Sequence, residues 1–357
     1  MDDRRLEELI AVIPPLLACL EALGLVARHP EPAEASAVLE AVAPRYIELR
    51  AAAPALADWP GALSGAGARL SAAAALTLAI MDDALAAADA EAPMLAVARA
   101  LRRLPSALEA IWPFARDMAP VGRFFLDPPV RQDAGVALRL ASAPASPDAG
   151  LVHVDGGARA RGGYSVFAPD DYAPDRLWPL IVALHGGFGD GRRFVWSLLR
   201  EARSYGALLV TPTSLGETWS LHEPEADTAN LERILGEVGA RWRIAPDRRL
   251  LTGMSDGGTF AYIAGLAAGS SYSHLAPTAA AWHPILLGMA GEERLHGLPI
   301  RITHGARDWM FSVGSAREAA GVLAAAGADV ELQVIADLGH AWPREIVRGL
   351  IAWSGGA

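Results

Sequence analysis

The hydrophobic rhythm of the chain changes near residue 125. Before that point apolar residues recur at intervals of three and four. Val38, Val42, Tyr46 and Leu49 follow helical spacing, as do Leu70, Ala74, Leu78, Met81 and Leu85. Met94, Val97, Leu101, Leu104, Leu108 and Ile111 alternate the two steps and make one stripe. Breaks at Pro30-Glu31-Pro32, between Pro54 and Gly67, and at Pro93 divide the region into about four helices that would bury their stripes on one another. The pattern predicts an all-α helical domain over residues 1–126.

Residues 127–150 lose the period. Asp127-Pro128-Pro129 and the Ala, Ser and Pro run from Ala141 to Asp148 read as a linker. From 151 onward short apolar runs alternate with amphipathic stretches. Strands are expected at 151–155, 162–168, 179–184, 207–211, 248–252, 278–282, 299–303 and 330–335. Helices are expected near 191–204, 227–241, 257–268, 314–326 and 343–353. Strands alternating with helices predict an α/β domain over 151–357, with a mostly parallel sheet flanked by helices. In such sheets chemistry gathers at the carboxyl ends of the strands.

Composition narrows the function classes. A length of 357 residues predicts about two domains, and 52% hydrophobic content allows a sizeable core. The formal charge is −10, and no long basic run occurs, so nucleic acid is not an expected partner. Every basic residue is Arg; without Lys there is no phosphate loop of the Lys-containing type. Cys19 is the single cysteine, which excludes an intrachain disulfide; its apolar neighbours predict a buried, inert thiol. The segment Met1 to Arg5 has no net positive charge, and Pro14, Pro15 and Glu21 interrupt the apolar stretch behind it, so a secretion signal is not expected. No apolar run is read as long enough to span a membrane. These features predict a soluble, cytoplasmic protein. No Cys/His set has zinc spacing, and neither metal nor cofactor is expected. Asp82, Asp83 and Asp89 read as a solvated helix face.

The densest chemical signal is Gly253-Met254-Ser255-Asp256-Gly257. An apolar run (Leu250-Leu251-Thr252) precedes it and a helical stretch (Thr259 to Ala264) follows. Strand, tight turn with Ser, then helix is the arrangement of a nucleophile elbow, whose flanking glycines let strand and helix approach closely. The pentapeptide alone is weak in a chain with 35 glycines. Three other strand ends add to it: His185-Gly186-Gly187-Phe188 after 179–184, His304-Gly305-Ala306-Arg307-Asp308 after 299–303, and Gly339-His340-Ala341-Trp342-Pro343 after 330–335.

With those motifs in that order, residues 160–353 resemble the α/β-hydrolase superfamily, and among its members the phospholipase/carboxylesterase and polyhydroxybutyrate-depolymerase-like serine esterases. The resemblance implies an α/β-hydrolase fold with a Ser, Asp, His order along the chain. It implies Ser255 as nucleophile, His340 as general base and Asp308 as the acid that orients it, with Asp337 the fallback. Backbone N–H groups of Asp256 and of Gly187 or Phe188 would form the oxyanion hole. His185 and His304 read as structural. Trp219, His283, Trp309, Met310 and Trp342 are expected to line the substrate pocket. The implied activity is hydrolysis of a small-molecule carboxylic ester through an acyl-enzyme. A peptidase or acyl-peptide hydrolase, a thioesterase, and a non-catalytic binding protein of the same fold are the alternatives. The helical domain is left to cover the site or to mediate homodimerisation.

Overall fold

The structure, a computed structural model, describes residues 3–57, 59, 61–154 and 161–355. The chain forms two compact units, Met1–Arg131 and Gln132–Ala357.

In the first unit the α-helices are α1 (Asp3–Arg28), α2 (Pro32–Ala52), α3 (Ser64–Ala86), α4 (Pro93–Leu101), α5 (Leu104–Ile111) and α6 (Ala119–Phe124). The helices α2, α4, α5 and α6 each carry a proline in the first turn, where its missing N–H costs nothing. The same chemistry splits the single stripe expected over 94–111. Pro105 cannot continue a helix arriving from Leu101, so the chain turns at Arg102 and Arg103 and restarts. Helix α1 packs along α2, and α3 against α4 and α5. Leu16, Leu20, Leu23, Leu39, Leu49 and Ile80 are buried in this unit. Cys19 lies among them, and burial pushes its thiol up to about 12, which leaves it protonated and unreactive. Asp82 pairs with Arg50, and Asp83 with Arg103, at the surface.

One expectation needs correcting here. Asp3–Arg28 and Ser64–Asp89 are long and apolar enough, by length and composition, to cross a membrane; 50% and 44% of their apolar windows are buried within the fold. Helix α1 runs unbroken through Pro14 and Pro15. Reading those prolines and Glu21 as interruptions concealed the length of the apolar run.

The second unit begins earlier than expected. Residues 127–150, read as a linker, contain a short 3-10 turn (Pro128–Val130) and helix α7 (Ala134–Ala141). Asp133 caps α7 by accepting the Val136 N–H at 3.0 Å. Arg139 then ties α7 to Asp171 and to the carbonyls of Arg203 and Ser204.

The sheet has eight strands: β1 (Gly150–Val154), β2 (Tyr164–Ala168), β3 (Trp178–Leu184), β4 (Leu208–Pro212), β5 (Ile244–Met254), β6 (His274–Thr278), β7 (Pro299–Gly305) and β8 (Asp329–Ile335). Residue 155 of the first expected strand lies outside the described residues. The spatial order is β1-β2-β4-β3-β5-β6-β7-β8. Strand β2 runs antiparallel to β1 and β4, and every pairing from β4 to β8 is parallel. One reversed strand and a swap of β3 with β4 define the α/β-hydrolase sheet. The central strands β3 and β4 are buried along their whole length, as parallel strands covered on both faces must be.

The crossovers are α8 (Gly191–Phe194) and α9 (Leu199–Tyr205), α10 (Glu225–Arg241), α11 (Asp256–Leu266), α12 (Ile285–Gly288) with α13 (Glu292–Leu295), α14 (Val313–Ala325) and, after β8, α15 (Val347–Trp353). Strand β6 lies four residues before the expected 278–282. Its Pro277 lacks a ladder donor, which is uncommon in a central strand. The alanine run that looked like the strand is instead a turn, with Ala279 at φ 47°.

Candidate active site

Ser255 sits between β5 and α11 with φ 57° and ψ −123°, a conformation costly for a residue with a Cβ. The surroundings hold it there. Its N–H donates to the Thr278 carbonyl at 3.0 Å, and its own carbonyl accepts from Thr259 N–H at 2.9 Å. The glycines around it are obligatory by contact. A Cβ on Gly257 would strike the backbone carbonyls of Leu184 and His185, and one on Gly253 would strike Gly257. Phe188, Ser255 and Ala279 are the non-glycine residues with positive φ among the described residues, and all three follow the carboxyl ends of sheet strands. Backbone strain is thus concentrated around the serine.

His340 reaches the elbow from the loop after β8. Its Nε2 lies 3.0 Å from Ser255 Oγ, and its Nδ1 lies 2.9 Å from Asp308 Oδ2. A carboxylate only accepts, so Nδ1 carries the proton and Nε2 presents a lone pair to the serine hydroxyl. The rings of Phe311 and Trp309 meet the imidazole edge-on, with centroids 5.5 and 5.8 Å away.

The Asp308 side chain is fully buried. Burial by itself would raise its carboxyl. The His340 hydrogen bond and the Phe311 and Met310 amides outweigh that and hold it below the usual carboxylate range. Those two amides donate to Oδ1 at 2.9 and 2.8 Å, leaving Oδ2 for the imidazole. His304, expected to be structural, also touches this carboxylate. Its Nε2 donates to the Phe311 carbonyl at 2.9 Å and stands 3.4 Å from Asp308 Oδ2.

The loop after β3 closes the site from the other side. His185 is buried with Nδ1–H donating to the Gly186 carbonyl at 2.7 Å and Nε2 accepting the Ser214 N–H at 3.1 Å. Burial pushes its imidazole down to about 4, so it is a neutral strut. Phe188 does not fit the oxyanion role expected for it, because its N–H donates to the Glu217 carbonyl at 2.9 Å. The amides of Gly187 and Asp256 make no hydrogen bond among the described residues. The Asp256 carboxylate accepts the Thr218 hydroxyl at 2.6 Å, which fixes the start of α11 against the 214–221 loop. Asp227 holds that loop in turn by accepting the Leu215 and Ser220 amides.

The expected pocket residues separate into two groups. Trp309, whose ring meets His340, and Met310, next in the Asp308 loop, are exposed at 61% and 47%. His283 is exposed and accepts the Ile285 N–H at 3.2 Å. Trp219, by contrast, is a core residue. It is 1% exposed, stacks on Phe260, and donates its Nε1–H to the His185 carbonyl at 2.8 Å. Trp342 is buried edge-on against Phe194. A loop position at the carboxyl edge of the sheet thus does not distinguish an exposed tryptophan from one that props the loop.

The second unit has the α/β-hydrolase fold. The sheet order decides this, together with a serine turn at the end of β5. No family model and no curated relative matches the chain. Solved structures with a similar fold include a thermostable esterase (20% identity, covering 54% of this chain and 58% of that one, TM-score 0.44) and the esterase PE8 (20%, 53% and 95%, 0.43). A thermophilic esterase of Thermogutta terrifontis is 16% identical, covering 59% of this chain and 96% of its own, at TM-score 0.45.

Sequence reasoning missed Thr218, Phe311 and the contact of His304 with Asp308. For Phe311 the signal was available, since it lies three residues beyond Asp308 in one tight loop. Thr218 had none, because its partner Asp256 is distant in sequence. In the first unit, His29, Glu31 and Glu34 bring ligand-type atoms within 4.8 Å of one another. His29 Nδ1 already pairs with Glu34 Oε2 at 3.0 Å.

Proposed function

We propose that the protein is a serine hydrolase that cleaves carboxylic esters of small to medium acyl or aryl groups. The observation that carries the reading is the continuous hydrogen-bonded line from Ser255 through His340 to Asp308. A serine hydroxyl attacks carbonyls slowly unless a base takes its proton. His340 Nε2 receives that proton as Ser255 Oγ adds to the ester carbonyl. Asp308, kept ionised, holds the imidazole tautomer and stabilises the imidazolium that forms. The Gly187 and Asp256 amides receive the developing oxyanion, and the N-terminus of α11 adds its dipole. His340 then returns the proton to the leaving alkoxide. Water, activated by the same imidazole, releases the acid from the acyl-enzyme.

Ser255 itself is only 8% exposed, and the Trp309 side chain stands open beside His340, with exposed Met310 next to it in the chain. That combination favours a narrow acyl site next to an apolar surface for the alcohol or aryl part. Hydrolysis of p-nitrophenyl acetate, butyrate and decanoate by purified protein tests the reading. The acetate and butyrate esters should turn over, with the decanoate ester slower. Loss of turnover by about a thousandfold or more is expected for Ser255→Ala. Absence of turnover on all three esters would overturn it.

A further inference from the structure

A cleft of about 460 Å³ opens at the opposite edge of the sheet, where the parallel strands begin. It has the size of small-molecule sites. The sequence builds it deliberately. Strands β3 and β5 pair at Trp178 with Ile244 and again at Leu180 with Arg249, so the intervening β5 residues bulge out and part the two strand ends. On α10, Gly236 and Gly239 present no side chains to this gap, and a Cβ at Gly236 would meet nothing. Leu177, Leu235, Ile244 and Trp242 supply an apolar wall.

The polar lining is incompletely used. The Arg249 guanidinium pairs with no carboxylate among the described residues, and its Nε is buried without a partner. The hydroxyl of Ser271, also in the lining, is buried without one. Of the charged groups lining the cleft, Arg243 and Arg249 outnumber Glu232, a local excess of positive charge in a chain of net charge −10. The last turn of α10 offsets part of that charge through its carbonyls.

We infer that this cleft is a second ligand site, separate from the serine site, for a monocarboxylate with a compact apolar or aryl body. The carboxylate pairs with the terminal guanidinium nitrogens of Arg249, and the body lies over Gly236 and Gly239 against Trp242 and Leu235. Carboxylate and guanidinium match as a charged, forked pair, and the wall matches an apolar body. The inference does not depend on the ester-hydrolase reading.

Titration of 4-fluorobenzoate into the full-length protein, followed by fluorine NMR, tests it. Saturable binding in the millimolar range or tighter is expected. Arg249→Met should weaken it at least tenfold. Gly236→Leu, whose Cβ meets no neighbour, should do the same with near-UV circular dichroism unchanged. The uncharged 4-fluorobenzamide should bind at least tenfold more weakly. Rates of p-nitrophenyl acetate hydrolysis should be equal in wild type and both variants. Absence of saturable binding, equal affinity in Gly236→Leu, or equal affinity for the benzamide would each overturn the assignment.

Discussion

His340 Nδ1 meets Asp308 Oδ2 at 2.9 Å while the other carboxylate oxygen is occupied by the Met310 and Phe311 amides. The division of labour between the two oxygens matters. One fixes the carboxylate to its own loop, and the other fixes the imidazole. Asp308→Asn keeps the shape but offers an N–H where an acceptor is needed, which favours the wrong tautomer. Turnover of p-nitrophenyl esters should fall by about three to four orders of magnitude, with KM changing far less. Steady-state kinetics of the variant checks this.

The elbow makes a stability prediction. Gly257→Ala places a methyl group on the Leu184 and His185 carbonyls at the crossing of α11 and β3. Backbone on both sides cannot yield cheaply. The second unit should lose about 3 kcal/mol, measured by urea denaturation, together with esterase activity.

His185 gives the unit a pH dependence of defined sign. Its imidazole is pushed from 6.5 to about 4 in the fold. As pH falls, the unfolded chain takes up this proton first. The stability contributed by the neutral ring is therefore complete above about pH 6.5, declines between there and pH 4, and is gone below. The total is on the order of 3 kcal/mol. Thermal unfolding at pH 7 and pH 4.5 should differ more in wild type than in His185→Asn, which does not titrate.

Trp219 and Trp309 should behave oppositely. Trp219→Ala empties a stacked core site beside Phe260 and frees the His185 carbonyl, a loss of about 3–5 kcal/mol in stability. Trp309→Ala removes an exposed ring beside His340 and should change stability by less than about 0.5 kcal/mol. The Trp309 variant should show a several-fold higher KM for aryl esters. Parallel melting curves and kinetics separate the two residues.

Much of the second unit was legible because period and punctuation agree there. Seven of the eight strands cover most of their expected spans, and the exception, β6, shares only Thr278 with its span and carries Pro277 inside it. The order of Ser, Asp and His and their strand-end positions could be read directly, since each depends on a local motif. What could not be read depends on packing across long sequence separations. Thr218 finds Asp256, the Glu217 carbonyl takes the Phe188 amide, and Trp219 turns inward to His185. In the helical unit, Pro105 restarted a helix that the apolar stripe alone would have continued.

The central claim is that Ser255 is a nucleophile activated by His340. Intact-protein mass spectrometry after incubation with a fluorophosphonate tests it most directly. The account predicts one phosphonyl adduct per chain in wild type, mapped to Ser255, with labelling abolished in Ser255→Ala and slowed at least a hundredfold in His340→Ala. An adduct of equal extent in Ser255→Ala would contradict it.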